Sequence, residues 1–366
     1  MAKLKIPAGP EALTAEWLSH ALRQTGTIAN VTVRSFDTEM IAEGVGLMGQ
    51  VARVSLQYDG TEPGAPRALI AKFPAAAEEN REVANAFRFY EREIRFYEEI
   101  ADEVDLRTPR RYFSAMDTEA GDYVLLLEDL APARVGDQLA GCPRQEAELA
   151  VRELAKFHAA WWNSSRLAEI DWIPYANDPV NKSVEEIYQK AWGPFLERFG
   201  DKLPDSVRET GERLGTSAAN LLDQLAAPPQ TMYHGDYRYD NLFFATAEGG
   251  DPLAIIDWQI TSRGRGLYDV GYFMSQSVKP EERRLMEMET LRAYHRILME
   301  NGVRGYDFDE CLHDYRLATL FCFVYPVIVG GTLDLGNERG LALATAILER
   351  SAAAIVDLDA GELLRK

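Results

Sequence analysis

Cysteine is scarce in this sequence, and its few copies lie far apart. Three occur among 366 residues, and none forms a C-x-x-C pair with another: Cys142, Cys311 and Cys322. A disulfide framework or a zinc knuckle needs cysteines at short, paired spacings. Neither is predicted, and a reducing compartment fits the chain best.

Basic residues are too few to balance the acidic ones. The chain has 39 Lys and Arg against 58 Asp and Glu, which gives a net charge of -19. Such a charge repels a polyanion at long range, so no nucleic acid partner is predicted. The acidity favours a cationic substrate only weakly, because most of this charge lies on a solvated surface.

Long apolar runs are absent as well. Residues 1–18 lack the apolar core and the small-residue cleavage site of a signal peptide. The most apolar stretch, residues 317–331, is too short for a membrane span and contains Pro326. We expect a buried helix that Pro326 kinks or ends, no membrane span, and a cytoplasmic location.

What is present is the composition of a globular protein with more than one lobe. Hydrophobic residues at 46% and charged residues at 27% are typical of packed domains, and 366 residues exceed what one core usually serves. Apolar residues spaced by three and four predict one long helix over residues 78–104. Alternation of apolar and polar residues predicts strands at residues 31–36, 51–58, 67–74 and 123–130.

Beyond residue 130 the pattern is helical almost throughout. Two short apolar runs within residues 230–258 flank the turn-like TAEGGD and predict a hairpin. The fold class is therefore α+β, with a sheet-rich lobe over residues 1–130 and a mostly helical lobe over residues 131–366. Helices are predicted at residues 144–163, 183–198, 205–226, 281–301, 309–329 and 338–357.

A glycine loop, residues 44–49, separates the first two predicted strands. Gly44, Gly46 and Gly49 match the pattern G-x-G-x-x-G. A dinucleotide-binding turn would lead into a helix, whereas an alternating strand follows here. The loop is better explained as a hairpin whose backbone amides approach phosphate oxygens closely. An ordinary glycine-rich turn is the alternative.

An apolar strand and an apolar helix each carry an isolated charge. Lys72 interrupts ALIAKF, and a buried ammonium needs an anion, either a phosphate or a carboxylate. Glu93 is the candidate carboxylate: it lies on a second apolar face of the predicted helix, with Phe89, Phe96 and Ile100. A lysine that reaches water from an edge strand is the alternative for Lys72.

The stretch HGDYRYDNLFF, residues 234–244, concentrates charge immediately before an apolar strand. Asp236 and Asn241 lie in this loop, and the predicted hairpin ends at Asp257. Oxygen ligands of this kind suit Mg²⁺, so we expect Asn241 and Asp257 to hold metal and Asp236 to lie nearest an incoming hydroxyl. A transition-metal site at His234 and Asp236 is the alternative, although the chain has only five histidines and no H-x-x-x-H pair.

Together these motifs resemble the aminoglycoside phosphotransferase and choline-kinase-like family of small-molecule kinases. The match in order and spacing covers about residues 40–275 and includes LLLEDL at residues 125–130 and IIDW at residues 255–258. The resemblance implies a protein-kinase-like bilobal fold that binds ATP or GTP and Mg²⁺ in its cleft. It also implies an enzyme that moves the γ-phosphoryl group to a hydroxyl of a small molecule.

The resemblance assigns a role to each matching residue. For the nucleotide, the glycine loop covers the phosphates, Lys72 binds them while paired with Glu93, and Glu128 lies in the segment whose backbone meets the base. For the reaction, Asp236 is the catalytic base, and Asn241 and Asp257 are the Mg²⁺ ligands. Further assignments are a cation near the transferred phosphate at Arg238, a brace for the loop at His234, and structural roles for His158 and Asp269.

Two departures from the protein-kinase sequence pattern reduce the range of expected substrates. Residues 257–259 are Asp-Trp-Gln where a protein kinase has D-F-G, and no A-P-E follows. A small hydroxyl compound is therefore favoured, with a protein kinase and a nucleotide-binding scaffold without turnover as the alternatives. Seven aromatic residues of the helical lobe belong either to the core or to a substrate pocket: Trp161, Trp162, Trp172, Trp192, Phe321, Phe323 and Tyr325.

Overall fold

The computed structural model of the chain describes residues 4–41, 48–332 and 338–365. After the helix α1 (Ala15–Gln24) comes a five-stranded antiparallel sheet with the strand order β1-β2-β3-β5-β4. The strands predicted from alternation are confirmed, and α1 and β4 are additional to the prediction. The strands of the sheet are β1 (Val33–Ile41), β2 (Gly49–Tyr58), β3 (Ala68–Pro74), β4 (Arg111–Asp117) and β5 (Asp122–Glu128).

The prediction of one continuous helix over residues 78–104 is wrong. The structure has α2 (Glu78–Ala86), then α3 (Phe89–Arg95), then a π-helical turn over Phe96–Ile100. Arg88, between α2 and α3, has a φ of 55° in the left-handed region, which a continuous right-handed helix does not contain. The buried face of α3 therefore does not continue into α2.

Both faces of the five-stranded sheet are covered. Along β3, Ala71 and Phe73 share a core with α1. The alternate residue Ile70 packs against a second core, which contains Ile94 of α3. Because successive side chains of a strand point to opposite faces, Lys72 lies on the side of the sheet that α3 covers.

The rest of the chain is mainly helical, which confirms the α+β fold class with its antiparallel sheet first. The helices are α4 (Arg144–Ala160), α5 (Ser165–Glu169), α6 (Pro179–Lys182), α7 (Val184–Phe199), α8 (Asp205–Leu214), α9 (Ala218–Ala226), α10 (Leu267–Ser277), α11 (Pro280–Glu300), α12 (Phe308–Cys322), α13 (Val324–Thr332) and α14 (Glu338–Asp357). Two small antiparallel sheets contain β6 (Arg134–Val135), β7 (Thr231–Tyr233), β8 (Leu242–Phe244), β9 (Ala254–Ile255) and β10 (Ser262–Gly264). The pairing of β8 with β9 is the predicted hairpin.

Two of the predicted helices are interrupted. Residues 205–226 divide into α8 and α9, and residues 309–329 divide into α12 and α13. The second break follows Cys322, whose carbonyl is the one that the ring of Pro326 would meet in a continuous helix. By length and hydropathy alone, Phe308–Thr332 could cross a membrane, but 67% of its most apolar window is buried inside the protein. Packing within the protein thus accounts for the apolar composition of this segment.

The helix α10 lies at the centre of the helical part and has no visible periodicity in the sequence. All residues from Leu267 to Ser277 are buried, and a helix buried on every side has no polar stripe to reveal it. A Cβ at Gly271 would lie 2.8 Å from the Cβ of Ala318, so glycine permits the close approach of α12. This packing fixes α10, which presents Asp269 and Tyr272 to the loop before β8.

Candidate active site

Lys72 forms ion pairs with two carboxylates. Its Nζ lies 2.5 Å from Oε1 of Glu93 and 3.0 Å from Oδ1 of Asp257. Glu93 is 1% exposed and Lys72 is 14% exposed. Since β3 lies between β2 and β5, the edge-strand alternative for Lys72 is wrong. The ammonium instead joins β3, α3 and the second residue after β9.

Burial and charge shift the pKa values of these three groups. Burial lowers the pKa of Lys72, but attraction from Asp257 and Glu93 raises it by more. Burial raises the pKa of Glu93 to about 7, against the opposing effect of Lys72. Burial also opposes ionisation of Asp257, yet Lys72 and Arg238 hold its pKa below the usual range. With Glu93 and Asp257 both ionised, one ammonium faces two carboxylates, which favours the binding of a further cation.

Asp257 leaves the apolar hairpin in a strained backbone conformation. Its φ of 69° and ψ of 60° lie in the left-handed region, which costs energy for a residue with a Cβ and persists where surrounding structure imposes it. Nε2 of Gln259 donates a hydrogen bond of 3.3 Å to Oδ2 of the carboxylate. The turn directs this carboxylate out of the strand and towards Lys72.

Three side chains donate hydrogen bonds to the carboxylate of Asp236. Nε of Arg238 at 3.2 Å and Nδ2 of Asn241 at 3.0 Å bind Oδ2, and Oη of Tyr272 at 3.0 Å binds Oδ1. Attraction from Asp236 raises the pKa of Arg238, so that guanidinium stays charged. The carboxylate of Asp236 is 13% exposed and is therefore oriented while still accessible.

Hydrogen bonds lock the loop of Asp236 to the residue before Asp257. Nε2 of His234 donates to the carbonyl oxygen of Ile256 at 2.9 Å, and its Nδ1 accepts the backbone N–H of Asp236 at 3.1 Å. The backbone N–H of Ile256 donates to the carbonyl oxygen of Asn241 at 3.1 Å. Asp236, Asn241 and Asp257 therefore meet at one end of the β8–β9 hairpin.

These bonds exclude His234 as a metal ligand. Both of its ring nitrogens are occupied and the residue is fully buried, so the transition-metal alternative is wrong. Over residues 4–41, 48–332 and 338–365, no three His, Cys, Asp or Glu side chains form a group that could hold a metal ion. His234 braces the loop instead.

Asp269 of α10 anchors the same loop from the interior. Its Oδ2 accepts the backbone N–H of His234 at 2.7 Å, and its Oδ1 accepts that of Gly235 at 2.8 Å. Nε2 of His158 lies 3.3 Å from Oδ2 of Asp269, and Nδ1 of His158 lies 2.8 Å from Oη of Tyr294. Asp269 and His158 are fully buried, which suits structural roles for both.

The free energy of unfolding of the G235A variant is expected to be about 2 to 4 kcal/mol lower than that of the wild type. Gly235 has a φ of 88°, and a Cβ there would lie 2.5 Å from the carbonyl oxygen of Ile260. Urea denaturation measures the loss. The matched control is G26A, where φ is 72° and nothing lies within 4 Å of the added Cβ. Equal losses in the two variants would show that the contact with Ile260 contributes nothing.

The side chain of Glu128 does not face the cluster of Lys72. Its Oε1 accepts a hydrogen bond from Nη2 of Arg107 at 2.7 Å, and its Oε2 accepts the backbone N–H of Arg110 at 2.9 Å. These bonds hold the end of β5 in place. The role predicted for this segment, contact between its backbone and a nucleotide base, does not involve that side chain and stays a prediction.

The glycine loop is described only at its end. Gly44 and Gly46 lie outside the described residues, so their predicted role is not addressed by the structure. Gly49 begins β2 opposite Pro74, and a Cβ there would lie 3.1 Å from the carbonyl oxygen of Phe73. This tight spacing favours glycine at position 49 for packing alone, apart from any contact with phosphate.

Sequence reasoning missed Tyr272, the donor to Asp236. It lies three residues after Asp269 on α10, so both side chains face the loop from adjacent positions on one side of the helix. The sequence offers no signal for this contact, because the helix that aligns the two residues has no visible periodicity. Of the seven aromatic residues, Trp161, Trp172, Phe321 and Phe323 are core, and Trp162, Trp192 and Tyr325 are partly exposed.

Comparison with solved structures shows the same fold in several small-molecule kinases. The ethanolamine kinase of Plasmodium vivax matches at 10% identity and a TM-score of 0.53, with 94% of this chain and 89% of that chain covered. The GDP and kanamycin complex of the aminoglycoside phosphotransferase APH(2″)-IIIa matches at 16% identity and a TM-score of 0.53, with 92% and 98% covered. An amicoumacin kinase in complex with AMP-PNP and Ca²⁺ matches at 12% identity and a TM-score of 0.50, with 91% and 92% covered.

Comparison at the level of sequence gives the family. No curated protein matches the chain. The family model described as the ecdysteroid kinase-like family matches residues 43–303, a range that holds Lys72, Glu93, Asp236, Asn241 and Asp257. The chain therefore belongs to the ecdysteroid kinase-like family and is a phosphotransferase of the small-molecule kinase type.

Proposed function

We propose that the protein transfers the γ-phosphoryl group of ATP or GTP to a hydroxyl of a small molecule, with Mg²⁺, in the cytoplasm. The observation that carries the proposal is one chain of contacts: His234 ties the loop of Asp236 to the turn of Asp257, which contacts Lys72. Phosphoryl transfer has a loose transition state and depends mainly on alignment and on neutralisation of phosphate oxygens. A fixed base supplies the alignment. A paired lysine and a metal ion held by oxygen ligands supply the neutralisation.

In this proposal the nucleotide lies between the sheet-rich lobe, residues 1–130, and the helical lobe, residues 131–366. Lys72 contacts the phosphates and stays charged because Glu93 and Asp257 raise its pKa. The glycine loop covers the phosphates, and the backbone of the segment around Glu128 meets the base. Neighbours of the same fold bound to GDP and to AMP-PNP support the use of a nucleotide.

The donor chemistry of the site fits Mg²⁺. Asp257 offers a carboxylate that is 18% exposed. Asn241 offers an amide oxygen, because its Nδ2 is committed to Asp236. Magnesium prefers oxygen ligands and commonly takes only one or two from protein, with phosphates and water as the rest. When bound by Asn241 and Asp257, the ion would neutralise charge on the phosphate oxygens.

Asp236 is the proposed catalytic base. Its carboxylate is aligned by donors on both oxygens, so it can orient an acceptor hydroxyl and accept its proton late in the transfer. Arg238, charged and 26% exposed beside it, supplies a cation near the transferred phosphate. Asp236 thus aligns the acceptor, and Arg238 neutralises charge on the phosphate. Neither role requires a covalent intermediate with the protein.

The purified protein is expected to transfer label from γ-³²P ATP or GTP to at least one alcohol in a panel of ethanolamine, kanamycin and an ecdysteroid. Transfer should need Mg²⁺ and stop with EDTA. Without the ion, Asn241 and Asp257 hold no cation that could neutralise the phosphate oxygens. Thin-layer chromatography of the products measures it. Nucleotide binding without transfer to any acceptor would support the scaffold alternative, and labelling of peptides instead of small molecules would support a protein kinase.

A further inference from the structure

The two oxygens of the Asp236 carboxylate have different surroundings. Within the ranges that the structure describes, Oδ2 receives two hydrogen bonds, from Arg238 and Asn241, and Oδ1 receives one, from Tyr272. A carboxylate has about four lone-pair sites, two on each oxygen. Oδ2 is therefore saturated, and Oδ1 keeps one position for a further donor.

The remaining position on Oδ1 lies beside a tyrosine cluster, defined as Tyr268, Tyr272 and Tyr325. The rings of Tyr272 and Tyr325 lie with centroids 5.0 Å apart, and the hydroxyls of Tyr268 and Tyr325 are hydrogen-bonded. Tyr325, at the start of α13, is partly exposed. A molecule that reaches Oδ1 would therefore lie against this cluster.

Tyr272 is suited to be a permanent donor. It is 7% exposed, and its position on the fully buried helix α10 leaves it little freedom. Burial raises the pKa of Tyr272 well above its usual value. Repulsion between a phenolate and the charge of Asp236 raises it further, by a smaller amount. The phenol thus keeps its proton over the ordinary working range of pH. The charged side chains that act on the phenol of Tyr272 are those of Asp236 and Arg238.

We propose that Tyr272 is a positioning residue that holds Oδ1 of Asp236 so that its free lone pair receives the acceptor hydroxyl, with the tyrosine cluster as the acceptor's side of the site. The inference rests on the proposed function and specifies which atom is the base. The acceptor oxygen forms a bond to the γ-phosphorus as the bond from that phosphorus to the β–γ bridging oxygen breaks. The bridging oxygen keeps the electron pair and leaves with the nucleoside diphosphate, and the acceptor's proton passes to Oδ1.

The Y272F variant tests the positioning role. Loss of one donor to a charged group is expected to lower kcat by about 10- to 100-fold, while KM for Mg–ATP stays within about twofold. Because the donor acts on the base and not on the nucleotide, the loss should appear in kcat and not in KM for Mg–ATP, and this split is the readout. The acceptor is the best one found in the panel of ethanolamine, kanamycin and ecdysteroid, or water in ATP hydrolysis.

A matched control separates this role from a structural one. Oη of Tyr188 donates a hydrogen bond of 2.8 Å to the carbonyl oxygen of Gly211 and is likewise buried, within another core. Y188F removes the same atom and should lower the melting temperature while kcat stays within about twofold of the wild type. A wild-type kcat in Y272F, or an equal loss of kcat in Y272F and Y188F, overturns the inference.

The Y325L variant tests the side from which the acceptor approaches. It removes an aromatic face beside Oδ1 but leaves Tyr272 and Asp236 in place, so KM for the acceptor should rise by about tenfold. KM for Mg–ATP should stay within about twofold. An unchanged acceptor KM would contradict the placement of the acceptor at the tyrosine cluster.

Failure of the inference can be told from failure of the proposed function. A wild-type protein that labels no acceptor and hydrolyses no ATP contradicts the proposed function, and the inference falls with it. An active wild type whose Y272F variant keeps the wild-type kcat contradicts only the role of Tyr272. An active wild type whose Y272F variant loses kcat but keeps KM for Mg–ATP supports the inference.

Discussion

The D236N variant is expected to transfer phosphate about 10²- to 10⁴-fold more slowly than the wild type, while its affinity for Mg–ATP stays nearly the same. Asparagine has the shape of aspartate but cannot take a proton from a hydroxyl at neutral pH. Tyr272 donates to one oxygen of Asp236 and Arg238 and Asn241 to the other. The amide nitrogen of the variant would therefore face either Tyr272 or both Arg238 and Asn241. The base and its alignment are lost together.

Single-turnover transfer from γ-³²P ATP measures the chemical step, and calorimetry measures the affinity for nucleotide. The control is D223N: Asp223 is exposed and pairs with Lys182, and both lie in the helical lobe outside the cluster described above. D223N should match the wild type in both assays. Wild-type transfer by D236N would remove Asp236 from the reaction.

The D257N variant is expected to bind Mg–ATP about 10²-fold more weakly, equivalent to roughly 3 kcal/mol. The substitution removes the proposed anionic metal ligand and one of the two carboxylates that pair with Lys72. Glu93 still pairs with Lys72, so the fold around the lysine should persist. The loss should therefore appear in nucleotide binding more than in stability.

Calorimetric titrations of ATP with and without Mg²⁺ separate these effects. Wild-type affinity should depend strongly on the ion, whereas D257N should lose most of that dependence. The matched control is D223N, which removes a carboxylate outside the site and should keep the affinity of the wild type and its dependence on the ion. Equal affinities of D257N and wild type for Mg–ATP would remove Asp257 from the metal site.

The local chemistry of the site could be predicted from the sequence because its residues stand out against their neighbours. Lys72 and Glu93 are charges among apolar residues, and Asp257 follows an apolar strand. Such placements are costly without partners, which is why they indicate partners. The structure joins the three residues in one cluster.

Other features could not be predicted because they depend on distant parts of the chain. The left-handed Arg88 that separates α2 from α3 leaves no signal in the spacing of apolar residues. The helix α10 is buried on every side, so periodicity does not reveal it. Tyr272 could be connected to Asp236, 36 residues before it, only through the packing of that helix.

Crystals soaked with AMP-PNP and Mn²⁺, with anomalous scattering to locate the ion, test most directly whether Asn241 and Asp257 hold a metal beside Asp236. The account predicts the ion bound to side-chain oxygens of Asn241 and Asp257 and to phosphate oxygens, with Lys72 on the phosphates and Asp236 outside the ion's ligand shell. An ion bound elsewhere, or a nucleotide outside the space between the five-stranded sheet and the helices, would contradict it.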